Sequence, residues 1–292
     1  MDTKKENVIL VAKELFAKKG LTTYSVQDII ESSNISKGTF YNYFSSKDEF
    51  FIAYLQYASR EEKLRRESLL EGMQRNDRNI FAKQIHVRIE VTREFTLFPI
   101  FEMAFYSKNI DLKQFTERHF LEELKWIAER LMDIYGAHSR IYAEDCAVLI
   151  HGMMQNLFHT LKMLAKKRVD SMAIVHYILR EIDGVMKSKL VNDEAFLFEQ
   201  GISLFPRESK ILSHQQMIEE LRQLQAQVHD RQVEIHEQLA FLIEELQGET
   251  LRIYIIKPII HALSQIFANT PYAKDYLYVY NQMIDYIYTL EE

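Results

Sequence analysis

The sequence predicts an all-α protein: a small N-terminal helical head, then a long helical body. Three observations predict it. Glycine (8) and proline (4) are scarce in a chain of 292 residues, too scarce for the turns of a sandwich or barrel. Long stretches are built from Leu, Glu, Lys, Gln, Ala and Met, the straight-chain helix formers. Apolar residues make 47 % and charged residues 27 %, enough apolar material for a core and against disorder. The single cysteine excludes a disulfide framework and a multi-cysteine zinc site. No apolar run reaches membrane-spanning length, and the opening MDTKKENV has no apolar signal core, so a cytoplasmic protein without membrane contact is expected.

Charge is unevenly spread. Residues 1–60 hold eight Lys/Arg against seven Asp/Glu, a balance of +1; the remainder carries −7 of the total −6. An acidic chain binds nucleic acid only through a local surface. The first segment is also dense in helix boundaries, and three regions are expected: 1–47, a head; 48–205, a helical body for ligand binding and dimerisation; and 206–292, an additional helical region.

The head reads as four successive helix starts. Val8, Val11, Ala12, Leu15 and Phe16 form one apolar stripe, closed by Lys18, Lys19 and Gly20. A second helix starts at Ser25, with Asp28 three residues on as a variant capping box, and buries Val26, Ile29 and Ile30. Ser32, Ser33 and Asn34 turn the chain, and Ile35 plugs the turn. Ser36 caps a third helix, Lys37 to Tyr43, whose Phe40 faces inward with Phe44. Ser46 with Glu49 predicts a full capping box for the next helix.

Lys37, Thr39, Tyr41, Asn42 and Tyr43 face away from Phe40 and Phe44. A helix of this length fits a major groove, where its N-terminal residues meet base edges. Lys37 can donate to guanine, Asn42 can pair with adenine or reach phosphate, and the three hydroxyls suit phosphates. Gly38 lets backbone approach the groove. Lys47 stands at a helix N-terminus, where a cation opposes the helix dipole unless a phosphate binds there.

This stretch resembles the TetR family of transcriptional regulators. The resemblance is carried by Ser25-Val26-Gln27-Asp28-Ile29-Ile30, Asn34-Ile35-Ser36-Lys37-Gly38-Thr39-Phe40-Tyr41-Asn42-Tyr43-Phe44 and Ser45-Ser46-Lys47-Asp48-Glu49-Phe50, over about residues 8–54. Asn34 stands where the family often has glycine. The resemblance implies a helix-turn-helix head bound to double-stranded operator DNA, with Ser25, Thr39, Tyr43 and Lys47 on phosphates. It places Gln27, Lys37, Gly38, Tyr41 and Asn42 at bases or nearby backbone. It further implies a homodimer, a repressor, and a ligand pocket among the middle helices.

Body helices are expected from Lys47 to about Gly72, from near Asp77 to Pro99, from Asp111 to Tyr135 with Gly136 closing, over Tyr142–Lys167 and over Asp170–Leu190. Residues 95–135 are rich in aromatics, and Phe98, Phe101, Met103, Phe105, His119, Trp126 and His151 are candidates to line a pocket for an apolar small-molecule effector. His86, Arg88 and Arg93 are further polar residues on apolar helices. Cys146 and His151 do not share a helix face, no hydrolase, metalloprotease or phosphate-loop motif occurs, and no enzyme activity, metal or cofactor is expected. Ala147, Ile150, Met154, Leu157, Leu161 and Leu164 form one helical stripe, and Ile174, Ile178, Ile182, Val185 and Met186 another. These are the expected dimer seam, unless both stripes face their own subunit. Beyond Pro206 one long helix is expected over Ser213–Leu246, interrupted in pattern at Arg231, then helical material around Pro258 and Pro271 with a tyrosine-rich end. That extension can be an added wall, an extended dimer interface, or the docking face of a regulating protein partner, the alternative to a small effector.

Overall fold

The computed structural model describes residues 3–19, 25–164, 169–192, 194–200, 202–205, 212–228, 233–248, 251–267, 270 and 272–291. Gly20, Lys167, Pro206, Arg231 and Pro271 lie outside the described residues, as do the side chains of Lys19, Phe105 and Tyr288. The described chain is helical throughout, without a strand. Its helices are α1 (Thr3–Lys19), α2 (Val26–Ser32), α3 (Lys37–Tyr43), α4 (Lys47–Ser68), α5 (Arg78–Glu94), α6 (Leu97–Phe105) and α7 (Ile110–Tyr135). A short 3-10 turn (Ala137–Ser139) leads to α8 (Arg140–Leu164), α9 (Ser171–Asn192), α10 (Phe196–Glu199), α11 (His214–Gln227), α12 (Val233–Gln247), α13 (Ile253–Phe267) and α14 (Ala273–Glu291). No described helix is long and apolar enough to cross a membrane.

The chain divides into two compact units, Met1–Glu123 with Leu157–Tyr177, and Leu124–Asn156 with Ile178–Glu292. In the first, the short helices of the head share one core with the body. Val8, Ile9, Ala12 and Phe16 of α1 meet Ile29 and Ile30 of α2, Phe40 and Phe44, and then Phe50 and Tyr54 of α4. The same cluster continues through Val91, Phe95, Ile100, Ala104 and Leu112. Two seven-residue helices bury too little on their own, so α4 completes their core. Ile9, absent from the expected stripe, is fully buried, while Val11 and Leu15 are half-buried.

The break before α6 has a cause other than Pro99. The chain turns at Thr96, left-handed at φ 51°, and Pro99 sits in the first turn of α6, where a missing N–H is tolerated. Its i−4 carbonyl, Phe95 O, accepts instead from the Tyr54 hydroxyl at 2.9 Å. Gly136 closes α7 at φ 91°, where a Cβ would strike the His138 ring at 2.8 Å.

In the second unit the region beyond 206 makes a ring of four helices. α11 packs on α12, α12 on α13, α13 on α14, and α14 back on α11. Met217, Leu221, Leu224, Leu239, Leu242, Leu246, Ile260, Leu263, Tyr276, Val279 and Met283 are buried. The single helix expected over Ser213–Leu246 is therefore wrong. Val228 is extended (φ −75°, ψ 132°), which ends α11, and α12 returns alongside it. Folding back lets the two halves of one apolar stripe bury each other, which a continuous helix cannot do. Pro258 lies within α13. Arg140 of α8 holds Asp285 of α14 at 3.3 Å. The connector after α9 is strapped to α8 by two adjacent carboxylates: Asp145 accepts from the amides of Phe196 and Leu197, and Glu144 from Ser203 Oγ and Leu204 N.

The expected dimer stripes also need correction. Ala147, Ile150 and Met154 of α8 are buried, as are Ile174, Ile178, Ile182 and Met186 of α9, all within one subunit. They are core, because an apolar stripe on an amphipathic helix turns first to its own chain. The rest of the expected stripes is not core: Leu157, Leu161 and Val185 are half-buried and Leu164 is exposed, and on other faces Val148 and Leu149 of α8 and Val191 of α9 are exposed as well.

Candidate nucleic-acid interface

The helix-turn-helix is set by local chemistry. Ser25 is extended, its Oγ accepts from Asp28 N at 3.3 Å, and the Asp28 carboxylate takes Ser25 N at 2.7 Å, so the box closes from both sides. Asn34 turns at φ 51°, left-handed as its short amide side chain permits. Ile35 is half-buried beneath the turn. Ser36 Oγ then accepts from Thr39 N at 3.0 Å and starts α3.

One turn of α3 sorts its side chains. Phe40 and Phe44 are fully buried, 5.2 Å apart between ring centroids. Lys37, Gly38, Tyr41 and Asn42 are exposed together on the outer side, while Thr39 and Tyr43 are half-buried beside them. Tyr41 meets Phe40 edge-on at 5.5 Å. Nothing inside the protein demands glycine at 38. A Cβ there would meet only Ser36 Oγ at 3.7 Å, an ordinary contact. Glycine in a helix otherwise costs about 0.5–1 kcal/mol relative to alanine.

At the start of α4, Ser46 Oγ accepts from Glu49 N at 3.0 Å. The return half of the expected capping box is displaced by one residue. The Glu49 carboxylate reaches Ser45, taking its amide at 2.6 Å and its hydroxyl, because Ser45 offers two donors where the Ser46 backbone offers one. Those bonds from Ser45, side chain then backbone, hold Glu49 below the usual carboxylate range despite some burial, and nearby Lys5 adds to the effect. Lys47 is exposed, with its ammonium 5.7 Å from the Phe51 ring centroid. Lys5, which the sequence reading passed over, lies 4.8 Å over the Phe44 ring. On α2, Ser25 and Gln27 are exposed, and Gln27 Nε2 donates to Glu31 Oε1 at 2.8 Å. The i, i+4 spacing of Gln27 and Glu31 is the signal that would have singled out Glu31.

The structure gathers only some of the pocket candidates. In the first unit His119 stacks on Phe101 at 5.6 Å and lies parallel to Phe115 at 6.3 Å, with Ser59 Oγ 3.3 Å from its Nδ1. Met103 is half-buried against the same core, and Phe98 is half exposed. Trp126, half-buried, and His151, buried, belong to the second unit. That unit has a recess of about 50 Å³ lined by Tyr142, Phe198, Lys257, His261 and Tyr280 among others, in a region the sequence did not mark. Such a volume suits a few water-sized groups.

Residues 8–54 match the family model described as bacterial regulatory proteins, tetR family. The chain is 26 % identical over 294 residues to a protein named uncharacterized HTH-type transcriptional regulator YuxN of Bacillus subtilis strain 168, covering 97 % of this chain and 99 % of that one. It is 24 % identical over 190 residues to the uncharacterized HTH-type transcriptional regulator YerO of the same organism, covering 64 % of this chain and 66 % of that one. A third relative, named an uncharacterized HTH-type transcriptional regulator in the lacX 3′ region of Lactococcus lactis, is 33 % identical over 78 residues, 27 % of this chain and 38 % of that one. No solved structure matches. The helix-turn-helix geometry and the family match together make the head a TetR-type DNA-binding unit, on a chain that is similar along its length to an HTH-type transcriptional regulator.

Proposed function

We propose that the protein is a homodimeric repressor whose hold on operator DNA is loosened by an apolar small molecule bound against Phe101, Met103, Phe115 and His119. One observation carries the reading: the core that supports α3 is continuous with the core on which those residues pack. Close-packed interiors transmit displacement, so a guest that moves α6 or α7 is felt at α4 and hence at the head. On DNA, Lys37, Gly38, Tyr41, Asn42 and Gln27 face bases or adjacent backbone, and Ser25, Thr39, Tyr43 and Lys47 face phosphates. The Ser45 and Glu49 amides are already occupied and do not serve a phosphate at the start of α4, where the Lys47 ammonium stands exposed. A second copy pairs through the outer faces of α8 and α9 around Val148, Leu149, Gly184 and Val191, which presents two heads to half-sites one helical turn or a multiple apart.

The test joins two measurements on the full-length protein: thermal shift across a panel of apolar compounds, and affinity for fragments selected by the protein from a random DNA library. At least one compound is expected to raise the melting temperature and weaken DNA binding, with Phe101→Ala blunting the response but not DNA affinity. A second reading rests on α13, where Tyr254 is 93 % and Ile255 44 % exposed. There a protein partner docked on the C-terminal helices sets DNA affinity instead. No response to any compound, with DNA affinity altered only by a protein captured through residues 206–292, selects that reading.

A further inference from the structure

Glu31 stands in the last turn of α2, exposed, with Gln27 one turn before it donating Nε2 to its Oε1 at 2.8 Å. Local physics argues against an acid there. A carboxylate at a helix C-terminus opposes the helix dipole, and α2 has no basic residue in that turn to offset it. A carboxylate on the DNA-facing helices also repels phosphates. Among the described residues neither penalty is offset by burial or by an ion pair; the carboxylate instead accepts from Gln27.

We propose that Glu31 is a positioning residue for operator reading, fixing the carboxamide of Gln27. An amide read against adenine must give one N–H to N7 and accept from N6 with its oxygen. An unrestrained glutamine amide presents those two atoms in either order and pays side-chain entropy to settle on one. With one N–H held by Glu31, Nε2 stays on the Glu31 side, and the second N–H and Oε1 remain for one base edge in one order. The inference rests on the reading of Gln27 as a base-facing residue.

The experiment is selection from a random double-stranded library with the full-length protein and its variants, followed by affinities for the consensus and its single-base changes. Gln27→Ala is expected to erase the preference at one position of each half-site; if it changes nothing, the reading of Gln27 itself fails. Glu31→Ala should reduce discrimination at that same position by about three- to ten-fold, the scale of freeing one immobilised side chain. Affinity for all sequences should stay level or rise, since a negative charge is gone. Glu31 is exposed and alanine is the better helix former, so the head stays folded, which its melting temperature reports. Glu31→Gln keeps an acceptor for Gln27 without the charge, and should keep the preference while sharing the uniform gain. If both Glu31 variants raise affinity alike with base preference unchanged, Glu31 acts by charge alone and the proposal is overturned. Loss of preference in Glu31→Gln as large as in Glu31→Ala overturns it equally.

Discussion

Arg66 of α4 grips Glu123 of α7 with both guanidinium arms, Nη1 to Oε2 at 2.9 Å and Nη2 to Oε1 at 2.7 Å, and both residues are buried. Arg88 of α5 approaches Glu123 at 3.2 Å, and Glu62 lies 2.7 Å from Arg66, so two arginines and two glutamates neutralise each other. Gln84 and Arg66 exchange hydrogen bonds through their backbone carbonyls. Burial alone would raise Glu123, but Arg66 and Arg88 outweigh it and hold its carboxyl at about 2. Apolar packing sets how close α4, α5 and α7 come; this cluster also sets their register, because a charge moved by one turn loses its partner.

Removing Arg66 leaves the buried Glu62 and Glu123 with one arginine between them. Arg66→Ala is expected to destabilise the protein by about 3–5 kcal/mol, the usual cost of breaking a buried pair from one side. Urea unfolding measures it, and a change under about 1 kcal/mol would mean that the pair is hydrated in solution.

Acid should loosen the second unit through His138. Burial lowers its pKa, and the neighbouring His261 lowers it further, from 6.5 to about 4. The unfolded chain therefore takes up this proton as pH falls below 6.5, while the folded chain resists until about 4. Stability present above pH 6.5 is lost progressively across that window. In His138→Gln the slope of melting temperature against pH between 6.5 and 4 should be shallower; an unchanged slope assigns the acid sensitivity elsewhere.

Gly38 separates folding from DNA binding. Gly38→Ala should leave the head folded and slightly stabilise it, by up to about 1 kcal/mol, since the Cβ has room and alanine favours helix. DNA affinity should nevertheless fall at least several-fold if backbone approaches the groove there. Equal affinity in a gel-shift titration would place α3 farther from the DNA.

Lys47 and Lys37 should differ in kind. Lys47→Ala is expected to weaken binding to all sequences alike and to lower the salt slope by about one unit, as loss of one phosphate contact does. Lys37→Ala should instead change which operators are preferred. A Lys47→Ala protein with the parent's salt slope would remove Lys47 from the phosphate set.

The pairing surface can be tested on an exposed residue without injuring the core. Leu149 is 41 % exposed on α8, so Leu149→Glu costs little in a lone subunit and places a charge in an apolar seam. Analytical ultracentrifugation should show monomers with an unchanged helical signal. Persistence of the dimer would move the seam off these faces of α8 and α9.

What the sequence by itself determined is local. The Ser25–Asp28 box, the left-handed turn at Asn34, the inward pair Phe40 and Phe44, and the stop at Gly136 rest on neighbours within about one helical turn, and the chain shows such neighbours directly. The outward set on α3 was legible for the same reason. Tertiary structure decided what each apolar stripe would face. Of the residues expected at a seam, Ala147, Ile150 and Met154 of α8 and Ile174, Ile178, Ile182 and Met186 of α9 are covered by their own subunit, and the stripe expected to run as one helix from Ser213 folds back on itself at Val228. Periodicity states that a face is buried but not by what. The partners Arg66 and Glu123, 57 residues apart, and Phe101 and His119, on separate helices, meet only because α4 to α7 pack around one core. The local free energies of cap and turn choose the helices; the burial shared among them chooses their neighbours.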